Sequence, residues 1–138
     1  MKISIVIPNY NGLTLLKKNL PRLVDVLERD KVDAEIIVVD AASKDKTIEI
    51  AKRMKVDRIL RFPFKRGKGT DFWAGGLIAK GDYIVQIDTD HQFQPNEIPL
   101  FVESLDKGAD VVIGTRFSEG GKVEKGSVTF RNLFGNWV

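Results

Sequence analysis

Two aspartates that follow a strand-like segment are the residues of this sequence best suited to chemistry. Residues 83–87 form a mainly apolar run, and Asp88 and Asp90 follow it with one residue between them. Alternation along a strand sends both side chains to one side, where a turn lets the carboxylates converge. Because acidic groups at the end of a buried strand are costly without a partner, we predict a divalent metal that carries a phosphorylated ligand. A solvated turn, in which aspartate is common, is the alternative.

The small number of oxygen ligands indicates which metal this site would hold. Few carboxylates, completed by substrate phosphates and water, are typical of Mg²⁺ or Mn²⁺. His91 and Gln92 follow the aspartates directly and are candidates to add or orient a ligand. For His91, a supporting or surface position is the alternative. The sequence therefore predicts an open site for Mg²⁺ or Mn²⁺ rather than a closed structural cage.

A basic loop with two glycines is the second candidate for chemistry. Residues 65–70 contain the cations Arg66 and Lys68 next to Gly67 and Gly69, and a predicted helix follows. The loop lacks the upstream glycine of a P-loop. Its backbone freedom, its charges and the helix N-terminus nevertheless suit a phosphate or pyrophosphate. A solvated loop without a ligand is the alternative.

A third acidic residue, Asp40, ends the second apolar run of the chain. It either belongs to a helix entry capped by Ser43 or Asp45, or it faces a nucleoside. No glycine-rich dinucleotide fingerprint follows the first apolar run, which argues against a nicotinamide or flavin cofactor.

The elements that must position these residues alternate between strand and helix. The sequence predicts strands over residues 3–8, 35–40, 58–62, 83–87 and 110–114, and helices from about 14, 43, 70 and 96. Pro8 is expected to stop the first strand, Thr14 to cap the first helix, and Pro21 to kink or break it. This order predicts an α/β fold, a three-layer α/β/α sandwich with a mostly parallel sheet. In such sheets ligands bind at the carboxyl ends of the strands, where Asp40, Asp88 and Asp90 fall.

The composition of the chain limits its domain number, its partners and its chemistry. With 138 residues, 43% of them hydrophobic, the chain is expected to be a single domain, residues 1–138. A formal charge of only +3 does not favour a nucleic-acid partner. The lack of cysteine excludes thiol catalysis and thiolate metal sites. We see no signal peptide and no apolar run of membrane-spanning length, so we expect a cytoplasmic protein whose membrane contact, if any, is peripheral.

Aromatic and aliphatic residues recur at helical spacing in the C-terminal tail, at Phe130, Leu133, Phe134 and Trp137. This pattern fits a helix that docks on its own domain. It fits equally an amphipathic helix that lies at the cytoplasmic face of a membrane.

Taken together, these segments resemble inverting family-2 glycosyltransferases with the GT-A fold, the nucleotide-diphospho-sugar transferase type. The resemblance is carried in order by IVIPNYN at 5–11, IVVD at 37–40, SKDKT at 43–47, RGKG at 66–69, KGDYI at 80–84 and DTDHQ at 88–92. GTRF at 114–117, GGKV at 120–123 and RN at 131–132 are similar, more specifically, to dolichol-phosphate mannose synthases and other polyprenyl-phosphate glycosyltransferases.

The resemblance implies a GDP- or UDP-sugar donor, held by Mg²⁺ or Mn²⁺, and a polyprenyl-phosphate (dolichyl-phosphate) acceptor. It implies that Asp88 and Asp90 bind the metal with help from Gln92. Catalytic roles would fall to Asp90, Arg116 and Arg131, the two arginines engaging donor or acceptor phosphates. The residues it implies for substrate binding are Pro8, Asn9, Tyr10, Asn11, Asp40, Lys68, Asp88 and Gln92.

The sequence departs from the family pattern in two places and in its length. Ala41 and Gly12 stand where the family usually has acidic residues on the nucleoside side. Family members also continue past Trp137, so we expect the acceptor-side C-terminal part to be missing from these 138 residues. The alternative to a glycosyltransferase is therefore a non-catalytic nucleotide-binding or membrane-interaction module that remains from a truncated enzyme.

Overall fold

A computed structural model describes residues 2–54, 56–90 and 94–114. The chain divides into two compact units, Met1–Glu103 and Ser104–Val138. All four strands described below belong to the first unit.

The first unit is built on a parallel sheet of four strands. They are β1 (Ile3–Asn9), β2 (Ala34–Ala41), β3 (Arg58–Phe62) and β4 (Tyr83–Gln86), in the order β3-β2-β1-β4. The two central strands, β1 and β2, are the ones that the sequence marks as continuous apolar runs, as expected for strands covered on both faces. The predicted α/β class with a parallel sheet is confirmed.

Helices cover both faces of this sheet. They are α1 (Leu13–Arg29), α2 (Thr47–Arg53), α3 (Lys68–Ile78) and α4 (Ile98–Asp106), the last preceded by a 3₁₀ turn at Pro95–Glu97. Alternate residues of β1 point to opposite faces, so Ile5 packs with α1, α2 and Ile98, while Val6 packs with α3. These contacts give the three layers that the sequence predicts.

Alpha-helix α3 lies close to the sheet because residue 75 is glycine. A Cβ added there would come within 2.4 Å of Val6 Cγ1 and 3.0 Å of Val39 Cγ2. This close approach packs α3 directly against the two central strands, β1 and β2.

Neither Pro8 nor Pro21 ends the element that contains it, so the predicted strand stop and the predicted helix break are wrong, whereas the predicted kink at Pro21 stays a prediction. Strand β1 includes Pro8 and runs to Asn9. Only Ile3–Val6 of β1 pair with β4, so Pro8, which has no N–H to donate, lies beyond the part of β1 that is bonded on both sides. Helix α1 continues through Pro21 as one helix from Leu13 to Arg29, because the apolar stripe that packs on the sheet extends on both sides of the proline.

The predicted cap of α1 is also wrong. The helix begins at Leu13, before Thr14, and Gly12 provides no side chain to cap it. Instead Asp45, from the loop after β2, accepts a hydrogen bond from the backbone N–H of Leu13 at 3.1 Å. A carboxylate at this end of a helix also interacts favourably with the helix dipole. The start of α1 is thus fixed by a distant part of the chain.

The buried carboxylate of Glu35 links the strands at the amino edge of the sheet, opposite the candidate site. Glu35 is 3% exposed, and its Oε1 accepts hydrogen bonds from Ser4 Oγ at 2.6 Å and from the backbone N–H of Lys80 at 2.5 Å. Arg58 Nε lies 3.4 Å from Oε2, and the N–H of Gly81 donates to Ser4 Oγ at 2.8 Å. This network joins β1, β2, β3 and the segment that enters β4.

In the second unit, the described residues do not form the strand predicted over 110–114, so that prediction is wrong. After α4 the chain turns at Gly108, which has a φ of 97°, with the N–H of Gly108 donating to Leu105 O at 2.9 Å. Val111 and Ile113 are 74% and 81% exposed. The short apolar run predicted a strand, but a run of this kind does not by itself provide the neighbouring strand that a β-strand needs. Among the helices of the described ranges, none is long and apolar enough to cross a membrane.

Candidate functional site

The loops at the carboxyl ends of β1, β2 and β3 meet through the register of the sheet. Asn9 pairs with Asp40, and Asp40 pairs with Arg61. Three polar side chains from three neighbouring strands therefore lie side by side at one edge, as predicted for Asn9 and Asp40 but not for Arg61.

Asp40 is fully buried and is held from several directions. The backbone N–H of Ser43 donates to Oδ2 at 3.1 Å, and Asn9 Nδ2 lies 3.5 Å from Oδ1. Arg61 Nε lies 3.7 Å from Oδ2, and its side chain is 62% exposed. Asp40 thus closes the turn after β2 and also lies at the ligand edge. The predicted cap of the next helix is wrong, because α2 begins at Thr47 and its N-cap is Lys46 rather than Ser43 or Asp45.

Asn9, Asn11 and Ser43 bind the first loop to the second. The N–H of Asn11 donates to Ser43 Oγ at 2.8 Å, and Asn11 Oδ1 accepts from the N–H of Lys44 at 2.8 Å. Asn11 has a φ of 49°, a left-handed conformation that asparagine tolerates. These contacts fix the segment that carries Tyr10.

The two departures from the family pattern have structural consequences. A Cβ at Gly12 would lie 2.1 Å from Asn9 Oδ1, so an acidic residue there requires Asn9 to move. Ala41 is 2% exposed, so an acidic residue at this position would be buried and would need a partner.

The basic loop lies against the first loop and β3. Lys65 Nζ is 4.3 Å from the centroid of the Tyr10 ring, and Arg66 Cζ is 3.4 Å from the centroid of the Phe62 ring, both within the range of cation–π contacts. Gly67, with a φ of 95°, makes the turn into α3 that a residue with a side chain would adopt only under strain. Tyr10 and the basic loop, two of the predicted features, are thereby brought together.

Asp71, in the first turn of α3, is a buried carboxyl that sequence reasoning missed. It is 3% exposed, and its Oδ1 has no hydrogen-bond partner among the described residues. Burial raises the pKa of Asp71, the negative charge of Asp40 raises it further, and Arg66 opposes the shift. Its sequence position, just inside a helix N-terminus, looks like an ordinary exposed acidic residue.

Replacing Asp71 with asparagine is expected to raise the free energy of unfolding by about 1 kcal/mol at pH 7, the low end of the penalty for a poorly satisfied buried group. A carboxyl whose pKa is raised by folding opposes folding once the pH exceeds its unfolded pKa, about 3.9. The gain of Asp71→Asn should therefore fade as the pH falls toward that value. Urea denaturation at several pH values measures this, with Asp25→Asn on the exposed side of α1 as control. A loss of stability would mean that attraction to Arg66 outweighs burial.

The aspartate after β4 is paired with the basic loop. Lys68 Nζ forms an ion pair with Asp88 Oδ2, and Gln86 Nε2 lies 3.5 Å from Oδ1. Asp90, two residues further along the chain, is exposed. The structure thus brings together Lys68 and Asp88, two residues that the family resemblance places at the donor.

Asn19 is a second residue that the sequence did not indicate. It lies in the apolar stripe of α1, where it is 9% exposed, and its Nδ2 donates to the backbone carbonyl of Thr89 at 2.5 Å. With Leu16 and Ile87 it lines a small, mainly apolar cleft that reaches Asp88. Asn19 therefore positions the loop between the two aspartates.

The donor set at this edge fits an open metal site. Within the described ranges, no group of three or more histidine, cysteine and acidic side chains is close enough to enclose a metal. Two carboxylates, completed by ligand phosphates and water, are nevertheless sufficient for Mg²⁺ or Mn²⁺. The ammonium group of Lys68 at Asp88 also indicates that this carboxylate attracts positive charge.

Several predicted residues lie outside the described ranges. They are His91, Gln92, Arg116, Arg131 and the aromatic tail at 130–137.

Comparison with known proteins settles the family. The sequence matches the family model of glycosyl transferase family 2 over residues 4–134. The chain belongs to this family. This chain is 35% identical to a dolichol-phosphate mannosyltransferase of Pyrococcus furiosus. The match covers 90% of this chain and 36% of the relative. The chain is 33% identical, over 89% of its length, to an undecaprenyl-phosphate mannosyltransferase of Micrococcus luteus, of which it covers 51%.

A solved structure extends the comparison to the fold. Glucosyl-3-phosphoglycerate synthase from Mycobacterium tuberculosis, in complex with Mn²⁺, UDP and phosphoglyceric acid, matches with a TM-score of 0.63 and 28% identity. The match covers 75% of this family-2 chain and 38% of the synthase. The predicted family and the GT-A fold are confirmed. The chain spans about a third to a half of the length of the curated relatives.

Proposed function

We propose that this chain is the donor-binding part of a metal-dependent glycosyltransferase that transfers a sugar from a GDP- or UDP-sugar to a polyprenyl phosphate with inversion. The observation that carries the proposal is the convergence, at one edge of the sheet, of Asp40 with the first loop and of Lys68 with Asp88. Carboxylates for a metal, cations for phosphates and an exposed aromatic ring are the groups that a nucleotide-diphosphate sugar requires.

Each group has a role in this proposal. Asp88 and Asp90, with Gln92, would hold Mg²⁺ or Mn²⁺, which when bound supplies positive charge to the departing nucleoside diphosphate. Tyr10, 44% exposed, offers a face for a base or ribose.

The proposed acceptor fits the groups that the described site contains. A phosphate monoester has a second pKa of about 6 and is largely ionised at neutral pH. It can therefore attack the anomeric carbon without a general base, and the described part of the site contains no histidine. The names of the relatives, which include dolichol-phosphate and undecaprenyl-phosphate transferases, support this class of acceptor.

We place the reaction at the cytoplasmic face of a membrane, with the tail at 130–137 as the peripheral contact.

The test is calorimetry of the full chain with GDP and UDP, each with and without Mn²⁺, followed by turnover of the matching nucleotide-sugar with a short polyprenyl phosphate. We expect binding that depends on the metal, a clear preference for one base, and transfer with inversion. Failure to bind either nucleotide in the presence of Mn²⁺ would overturn the proposal.

A second candidate is a nucleotide-binding module without activity of its own. This module would bind a nucleoside diphosphate with Mn²⁺ but transfer no sugar, so the turnover experiment separates the two candidates.

A further inference from the structure

The ion pair between Lys68 and Asp88 engages the carboxylate that the proposed function assigns to the metal. Oδ2 of Asp88 contacts the Lys68 ammonium, and Oδ1 lies 3.5 Å from the amide of Gln86. The Asp88 side chain is 16% exposed, whereas that of Lys68 is 55% exposed. Asp88 is thus held in place, and Lys68 is the partner that has room to move.

Among the cations described at this edge of the sheet, Lys68 pairs with Asp88, which the proposed function makes a metal ligand. Arg61 pairs with Asp40, Lys65 lies over Tyr10, and Arg66 lies over Phe62. Lys68 is the first residue of α3 and follows Gly67, which has a φ of 95°, so its side chain starts at a helix N-terminus directly after this turn. A lysine here can reach different anions by rotating its four-carbon side chain alone.

A divalent cation and an ammonium group compete for the same carboxylate oxygen. Metal coordination at Asp88 removes the need for the positive charge of Lys68, and close approach of the two cations is repulsive. A lysine released from Asp88 remains beside the metal, where the negative charge of a diphosphate would lie. Lysine binds phosphate well as a point charge.

We propose that Lys68 exchanges Asp88 for the donor diphosphate and so couples metal binding to nucleotide binding. The inference rests on the proposed function and adds to it a defined source of cooperativity. The nucleotide draws Lys68 away from Asp88, which frees the carboxylate for the metal. By linkage, the metal raises the affinity for the nucleotide by the same factor.

The experiment measures the Mn²⁺ dissociation constant by electron paramagnetic resonance of free Mn²⁺, with and without the nucleoside diphosphate that binds better. In Lys68→Met, Mn²⁺ alone should bind about two- to fivefold more tightly, the range for loss of a largely exposed ion pair. The affinity for Mn²⁺ in the presence of nucleotide should stay nearly the same. The enhancement of Mn²⁺ binding by nucleotide should therefore fall by the factor that Mn²⁺ alone gained.

Two further variants make the result specific. Lys68→Arg keeps the charge at Asp88 and should resemble the unmodified chain in binding Mn²⁺ alone. Lys52→Met makes the same substitution at an exposed position in the last turn of α2 and should change neither constant. Circular dichroism checks that Lys68→Met remains folded, and methionine is a good helix former.

The possible results separate this inference from the proposed function. Unchanged or weaker binding of Mn²⁺ alone to Lys68→Met, with nucleotide binding intact, overturns the role of Lys68 and leaves the proposed function standing. If the unmodified chain binds no nucleotide, the proposed function is overturned. The measurement with Mn²⁺ alone still tests whether Lys68 and Mn²⁺ compete for Asp88. A chain that binds no Mn²⁺ under any condition overturns both.

Discussion

Replacing Asp88 with asparagine is expected to weaken Mn²⁺ binding by about 100-fold or more, since even outer partners of metal ligands are worth 10- to 100-fold. The amide keeps the shape of the side chain but removes the charge that pairs with Lys68 and that the proposed metal would need. Nucleotide binding in the presence of Mn²⁺ and any sugar transfer should fall with it. Calorimetry with Mn²⁺ and the preferred nucleoside diphosphate measures the effect.

Asp25→Asn is the matched control for this substitution. Asp25 lies on the exposed side of α1 and not in the segment after β4, so the same change of charge there should leave Mn²⁺ binding unaltered. Thermal unfolding should show that Asp88→Asn is folded, because the ion pair it removes is largely exposed on the lysine side and contributes little to stability. Metal-dependent binding that survives Asp88→Asn intact would remove Asp88 from the metal site.

The arrangement of the sheet was predictable from residues that act locally. Runs such as Ile3–Ile7, apolar except for Ser4, and Ile36–Val39, apolar throughout, favour strands covered on both faces. The intervening helical stripes then require parallel crossovers. Errors arose where a local rule met a tertiary context: Pro21 is tolerated in α1, and the carboxylate of Asp45 replaces the expected cap.

The site was predictable only in part, for a related reason. Asp40 and Asp88 were identifiable because an acidic residue that ends an apolar strand stands out in the sequence. Asn19 and Asp71 were not, because their importance depends on distant parts of the chain: the Thr89 carbonyl, which accepts a hydrogen bond from Asn19, and the charge of Asp40, which acts on Asp71. The pairing of Lys68 with Asp88, 20 residues apart, likewise requires the fold to be known.

The amino edge of the sheet, opposite the site, gives the largest expected effect on stability. Replacing Glu35 with alanine should lower the free energy of unfolding by about 3 kcal/mol, the usual loss when one partner of a buried ion pair is removed. Ser4 Oγ and the N–H of Lys80 would lose their acceptor, and Arg58 would lose its carboxylate. Urea denaturation measures the change. Glu28→Ala, on the exposed side of α1, is the control and should change stability by no more than about 0.5 kcal/mol.

The pH dependence of the same network distinguishes charge from shape. Burial raises the pKa of Glu35, but the hydrogen bonds from Ser4 and Lys80 and the charge of Arg58 outweigh it, so the pKa lies below its ordinary value. A carboxyl with a lowered pKa stabilises the fold above the unfolded pKa, about 4.3, and this contribution is lost as the pH falls through the folded pKa. The stability difference between the unmodified chain and Glu35→Gln should thus be constant near neutral pH and shrink in acid. A difference that persists unchanged in acid would assign the role of Glu35 to its shape and hydrogen bonds rather than to its charge.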